Sequence, residues 1–131
     1  MLAILNGETT MKFDTIEQLK AYAETMPVEE THHVGARHTN HQRAVYQIGI
    51  VQILIDTVLP YNVFKPSEEW YWTGDNMPKE QAETFAKKYN ARVEEAYYSD
   101  DYDNPEYQLM FDKLDDLLQW IFDHRNNEIN A

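Results

Sequence analysis

Carboxylate side chains, which can bind cations or act as acids and bases, are concentrated near the carboxyl end of this 131-residue chain. Residues 93–123 contain ten acids and one basic residue, Lys113. Four of these acids recur at helical spacing: Asp112, Asp115, Asp116 and Asp123. On a helix they would share one face, separated by about 5–6 Å along the axis. Because phosphates repeat at about 3.4 Å of axis per strand step, this spacing predicts an array that mimics a nucleic acid backbone.

A tyrosine-rich segment precedes those acids and extends the same predicted surface. The residues that we expect to contact a partner there are Tyr97, Tyr98, Asp100, Asp101, Tyr102 and Asp103. Tyrosine supplies stiff, amphipathic contact area, and charged residues steer an oppositely charged partner during association. The alternative is that two or three of these tyrosines belong to the core. The segment predicts a recognition surface for a basic protein.

Histidines offer a second chemistry, metal binding. Four of the five lie within ten residues and are the candidate ligands: His32, His33, His38 and His41. Glu29 and Glu30 are close enough in sequence to complete a site for a metal-dependent hydrolase. The chain lacks HExxH and the paired spacing that zinc sites usually show. A polar, pH-responsive loop is therefore the favoured interpretation, with the hydrolase as the enzymatic alternative.

Other catalytic signatures are missing from the sequence. The chain has no cysteine, which excludes disulfides, iron–sulfur clusters and thiol nucleophiles. It has four glycines and no G-x-S-x-G, phosphate-loop or GxGxxG motif. The aromatic run from Glu68 to Trp72 is expected to supply core bulk, with the wall of a ring-binding pocket as the alternative. The prediction is a protein without enzymatic activity or cofactor.

Net charge narrows the choice of partner. The chain carries −12 overall, and residues 68–131 contain sixteen acids against six bases. Such a surface repels nucleic acid and anionic membranes directly. No apolar run reaches the roughly 18 residues of a membrane span, and the first ten residues lack the basic start of a signal peptide. We expect a cytoplasmic protein with a basic, nucleic-acid-binding protein as partner. Two questions stay open at this point: whether the protein forms a dimer, and whether residues 1–10 belong to the native product.

In class, a short, cysteine-free, strongly acidic and tyrosine-rich chain resembles the small inhibitors that phages and mobile elements use against restriction or CRISPR nucleases. Immunity proteins that neutralise basic nuclease toxins are similar. The resemblance is one of composition and implies an inhibitor or DNA-mimic decoy, with no residue carried over. An accessory protein whose acidity serves only solubility is the remaining alternative.

In the amino-terminal half, the pattern predicts a hairpin, a helix and a longer buried helix. Residues 3–5 and 9–13 flank Asn6-Gly7, the dipeptide typical of a tight hairpin turn. Asp14 is expected to cap a helix over 15–26, with Glu17 completing a capping box. Between residues 39 and 60, polar positions recur every four or five residues, which favours a central helix despite the β-branched content.

In the carboxyl-terminal half, a strand over 68–73, a helix over 78–89 and a strand over 92–98 predict a small βαβ-like unit. Asn104 is expected to cap a last helix, with Pro105 in its first turn. The predicted fold is α+β over 1–131, one compact acidic domain of three to four helices with a few short strands. An all-α fold is the alternative.

Overall fold

Strands and helices alternate irregularly along the chain, which gives an α+β fold in a computed structural model that describes residues 2–5, 8–11, 13–26, 30–33, 39–60, 68–96 and 105–131. The strands in these ranges are β1 (Leu2–Leu5), β2 (Glu8–Met11), β3 (Glu30–His33), β4 (Thr39–Ile48), β5 (Val51–Pro60), β6 (Glu68–Trp72), β7 (Ala91–Glu95) and β8 (Tyr107–Phe111). The helices are α1 (Ile16–Glu24), α2 (Lys79–Tyr89), α3 (Leu114–His124) and α4 (Asn126–Ile129). The α+β class predicted from the sequence is confirmed, although the strands are more numerous than expected and two of them have ten residues.

The strands form a two-stranded sheet and a six-stranded antiparallel sheet. β1 pairs with β2 so that Leu5 lies opposite Glu8, which confirms the predicted amino-terminal hairpin. The larger sheet has the order β3-β4-β5-β6-β8-β7. β6 and β7 are both antiparallel to β8, so they run parallel to each other with α2 between them in sequence. The predicted βαβ-like unit is therefore present, with β8 inserted between its two strands.

Residues 39–60 form a β-hairpin, so the central helix predicted there is wrong. β4 and β5 pair along their whole length, from Thr39 opposite Pro60 to Ile48 opposite Val51. The turn is made by Gly49 and Ile50, and Gly49 has the left-handed φ of 58° that glycine adopts without strain. The β-branched composition of the segment matches this outcome.

Every described helix contributes to one core against a single face of the large sheet. Side chains alternate between the two faces of a strand, and those on the core face include Ile48, Val51, Ile53, Leu109 and Phe111. Apolar residues of all four helices belong to the same buried cluster. We call the opposite face of this sheet the open face, because no described helix packs on it.

Helix boundaries follow local sequence signals closely at some ends. α1 is capped by Thr15, whose hydroxyl accepts a hydrogen bond from the Gln18 amide while the Gln18 side chain accepts from Thr15. Thr15 and Gln18 thus form the capping box that was predicted one residue earlier, at Asp14 and Glu17. α2 ends at Tyr89, as predicted for the helix over 78–89, and the next residue, Asn90, adopts a left-handed conformation.

The last helix begins later than predicted. Residues 107–111 are β8, and α3 starts at Leu114 after Lys113. Pro105 therefore precedes a strand and does not open a helix. Asn104, the predicted cap, lies outside the described residues.

The carboxyl-terminal residues are hydrogen-bonded to the β4–β5 hairpin and to the segment just before α1. The Ile50 amide donates to the Glu128 carbonyl at 3.0 Å, and the Phe13 amide donates to Asn130 Oδ1 at 2.6 Å. Ile129, in α4, is 2% exposed. Segments at opposite ends of the sequence are thereby held together.

Candidate functional site

The open face carries a row of aromatic and charged side chains across its central strands. Register places Asp56 of β5 opposite Arg43 of β4 and opposite Trp70 of β6. His41 and Trp72 lie two residues along their strands and therefore project on the same side. These five residues, His41, Arg43, Asp56, Trp70 and Trp72, form what we call the Asp56 cluster.

Asp56 is held by three donors. Its side chain is the buried charged group of the described core, at 1% exposure. Arg43 donates Nε to Oδ1 at 2.6 Å and Nη2 to Oδ2 at 3.0 Å, and the Trp72 indole donates to Oδ2 at 3.0 Å. The hydrogen bond to Asp56 raises the pKa of the Arg43 guanidinium. The pair is a satisfied buried ion pair, which makes Asp56 a structural residue of the open face.

Aromatic rings flank this pair. Arg43 Cζ lies 5.1 Å from the centroid of the Trp72 ring, a cation–π geometry. The His41 ring lies 5.6 Å from that of Trp70, and His41 Nε2 is 3.6 Å from Asp56 Oδ2. That nitrogen is buried and has no hydrogen-bond partner among the described residues. Trp70 thus packs on the cluster through His41.

An open groove lies on the other side of Trp70. It has a volume of about 490 Å³ and is lined by Glu68, Glu69, Trp70, Arg92, Glu94 and Asp112. The carboxylates of Glu68, Glu94 and Asp112 thus lie near one guanidinium and one indole, whereas the Glu69 carboxylate accepts hydrogen bonds from Thr57 and Tyr71 on the other face of the sheet. Arg92 Nη2 is 3.1 Å from Asp112 Oδ1, and Arg92 Nη1 is 3.5 Å from Glu94 Oε1. We call this feature the acidic groove.

The groove results from the end of β8. β8 pairs with β7 over five residues, but its pairing with β6 consists of Tyr71 opposite Phe111. Immediately afterwards the chain turns at Asp112 and Lys113 into α3. β6 consequently extends beyond β8, and Trp70 faces a gap that carboxylates line.

The structure separates the four predicted acids near α3. Asp112 precedes the helix and pairs with Arg92, so the predicted single helix face containing all four acids is wrong. Asp115 and Asp116 are in the first turn, where Asn90 donates to Asp116 at 3.4 Å. Asp123 is in the last turn, accepting from Tyr89 at 2.7 Å and from Gln119 at 3.0 Å. Their part in partner binding stays a prediction.

The remaining predicted residues fall largely on segments that the structure does not describe. Tyr97, Tyr98, Asp100, Asp101, Tyr102 and Asp103 all lie outside the described residues. So does His38, whereas His32 and His33 belong to β3, with His32 opposite Arg43 in register. Within the described part of the chain, no group of three or more His, Cys, Asp or Glu residues could hold a metal ion.

Sequence reasoning missed the Asp56 cluster and the acidic groove. A signal for the first existed, since Asp56 is the acid within an otherwise apolar run, a position that requires a buried partner. In the aromatic run, Tyr71 packs against the core and Trp70 lines the groove, while a ring-binding pocket stays a prediction. The groove itself unites residues from β6, β7 and the turn between β8 and α3, a proximity that no local pattern encodes.

No protein-family model, no curated protein and no solved structure matches this chain. No helix in the described ranges is both long and apolar enough to cross a bilayer.

Proposed function

We propose that this protein is a non-enzymatic, acidic binding protein that docks on the basic, nucleic-acid-binding surface of a partner and blocks it. Partners of this chemistry include restriction enzymes, CRISPR effectors and other nucleases, for which a phage or mobile element would need an inhibitor. The observation that carries the proposal is the acidic groove, where the carboxylates of Glu68, Glu94 and Asp112 lie beside Trp70 and one arginine.

The charge distribution supports the same function. Asp112 lines the groove, and Asp115 and Asp116 follow it closely in sequence, in the first turn of α3, which adds further negative charge to this part of the chain. Opposite charge accelerates encounter and makes it sensitive to salt. A basic surface occupied in this way is unavailable to its nucleic acid.

To act as a decoy, the protein needs negative charges at suitable positions, but these charges need not lie on one helix at the spacing of phosphates. The acids come from β6, β7, the β8–α3 turn and α3, so the proposed binding surface is assembled from several elements. Rigid placement by a sheet limits the entropy lost on binding, which favours affinity.

The test is inhibition of DNA cleavage by a panel of purified restriction and CRISPR nucleases, combined with capture from a lysate at low and high salt. The triple variant Asp112→Lys, Asp115→Lys and Asp116→Lys should abolish capture and inhibition. Its matched control reverses Asp14, Glu17 and Glu24, exposed acids in and beside α1, and changes the net charge equally.

Equal loss of capture and inhibition in both triple variants would show that the effect depends only on net charge. Unchanged capture by the first variant would remove these acids from the binding surface. A protein that captures nothing and inhibits nothing would favour the accessory alternative.

A further inference from the structure

We propose that the acidic groove receives an arginine side chain of the basic partner, with Trp70 as the stacking surface. This inference rests on the proposed function and specifies the group that the partner inserts. It commits the acidic groove to one occupant, a protein segment that presents guanidinium groups.

Charge complementarity identifies the sign of the occupant. Three carboxylates, those of Glu68, Glu94 and Asp112, outnumber the Arg92 guanidinium in the lining, so the groove keeps a net negative charge. A phosphate or a carboxylate would be repelled there. The cavity of about 490 Å³ lies within the range of about 300–1,000 Å³ common for sites that enclose a small group.

The chain's own arginines show which cation this face accommodates. Arg43 stacks on Trp72 while Asp56 binds it in bidentate fashion. Trp70 lies two residues before Trp72 on the same strand and face, and the acidic groove supplies carboxylates beside it. A planar guanidinium can stack on an indole ring and donate hydrogen bonds to carboxylates at the same time. An ammonium group is not planar and cannot stack in this way.

Arg92 provides the second internal example. Its guanidinium lies between Asp112 and Glu94 at the side of the groove, and about half of its side chain is exposed. An arginine that enters from solvent meets Trp70 and Glu68 on the opposite wall. The groove thus offers a second guanidinium position across from the resident one.

Calorimetric titration of the protein tests the inference. The ligands are hexa-arginine and hexa-lysine peptides. Hexa-arginine should bind more tightly than hexa-lysine. Trp70→Leu should weaken hexa-arginine binding about three- to fivefold, the range of an exposed cation–π contact, and change hexa-lysine binding less. Trp70→Phe should restore part of the loss.

A second variant keeps the test decisive if Trp70→Leu destabilises the sheet. Glu68→Gln with Glu94→Gln removes two exposed groove charges and should weaken hexa-arginine binding more than the control pair Asp115→Asn with Asp116→Asn does. Circular dichroism verifies the fold of each variant.

The outcomes separate the two proposals. Loss confined to the α3 control pair would overturn the arginine site and leave the proposed function standing. Equal affinity for both peptides, with no effect of Trp70→Leu, would also overturn it. Absence of binding to either peptide would overturn the proposed function and this inference together.

Discussion

At the scale of single residues, the charge of Asp56 serves the packing of the protein and not the binding of a partner. It is an acid in an acidic protein, yet its carboxylate is buried and bonded by Arg43 and Trp72, so it is not available to a partner. Asp112 also pairs with an arginine, but both side chains are about half exposed or more. The same pair of residue types therefore serves packing in one place and surface charge in the other.

Asp56→Asn should destabilise the protein by about 3 kcal/mol, since it leaves a partly buried guanidinium without its counter-charge. The control Asp112→Asn disrupts an exposed pair and should cost about 1 kcal/mol or less. Urea denaturation of both variants measures the difference. Equal losses would show that the Arg43–Asp56 pair is as dispensable as a surface contact.

At the scale of elements, Tyr89 joins α2 to α3. Its hydroxyl donates to Asp123 and lies 2.9 Å from His124 Nε2, with the Phe85 ring packed on His124. Burial, and then the hydrogen bond to Asp123, raises the pKa of Tyr89 from 10.0 to about 12. The contact therefore favours the folded state only while the phenol is protonated.

Because the folded-state pKa is the higher one, this stabilisation is complete below pH 10.0 and is lost as the pH rises to about 12. Tyr89→Phe should be less stable than the natural protein at neutral pH, and the gap should close over that interval. Denaturation curves at several pH values measure it. Tyr22→Phe, whose ring packs on Phe13, is the control. A gap that stays constant with pH would contradict the assignment.

The elements also show how far sequence patterns reach. Local signals predicted the β1–β2 hairpin, the capping box within one residue of Thr15, and the end of α2 at Tyr89, since each depends on a few adjacent residues. The 39–60 segment failed for a geometric reason. Its polar positions 43, 47, 52 and 56 all lie on the open face: even spacings keep one face within a strand, and the odd step across the Gly49–Ile50 turn restores it. The result imitates a helical period.

The last element failed because a local signal was overridden by sheet pairing. Asn104, Pro105 and Glu106 have the composition of a helix start. However, Tyr107, Leu109 and Phe111 alternate onto the core face and pair with β7, which fixes residues 107–111 as a strand. The charge of the candidate site could be predicted from the sequence, but the groove could not, because β6, β7 and β8 meet only through the sheet order.

At the scale of the whole molecule, the β4–β5 turn and α4 are far apart in the sequence and pack together at the core. A Cβ on Gly49 would lie 2.2 Å from the Glu128 carbonyl oxygen, whereas a Cβ on Gly74 would meet nothing nearer than Trp72 Cζ3 at 3.8 Å. Both glycines have left-handed φ values. The two glycines therefore share a left-handed backbone conformation, but Gly49 is closely packed and Gly74 is not.

Gly49→Ala should be less stable than Gly74→Ala. Both variants pay about 1–2 kcal/mol for a side chain in the left-handed region. Gly49→Ala also forces α4 away from the hairpin, which should add about 1–3 kcal/mol. Thermal and urea denaturation compare them. Similar losses would mean that α4 moves freely and does not close the core.

Placing every described helix on one side of the large sheet has a practical consequence. Gln47, Gln52, Glu68 and Glu94 project from the other side, away from the buried cluster, and substitutions at such positions usually change stability by about 0.5 kcal/mol or less. A display library randomised at these four sites would therefore retain the scaffold while sampling new specificities. Selection against unrelated targets could reprogramme the molecule without redesigning its interior.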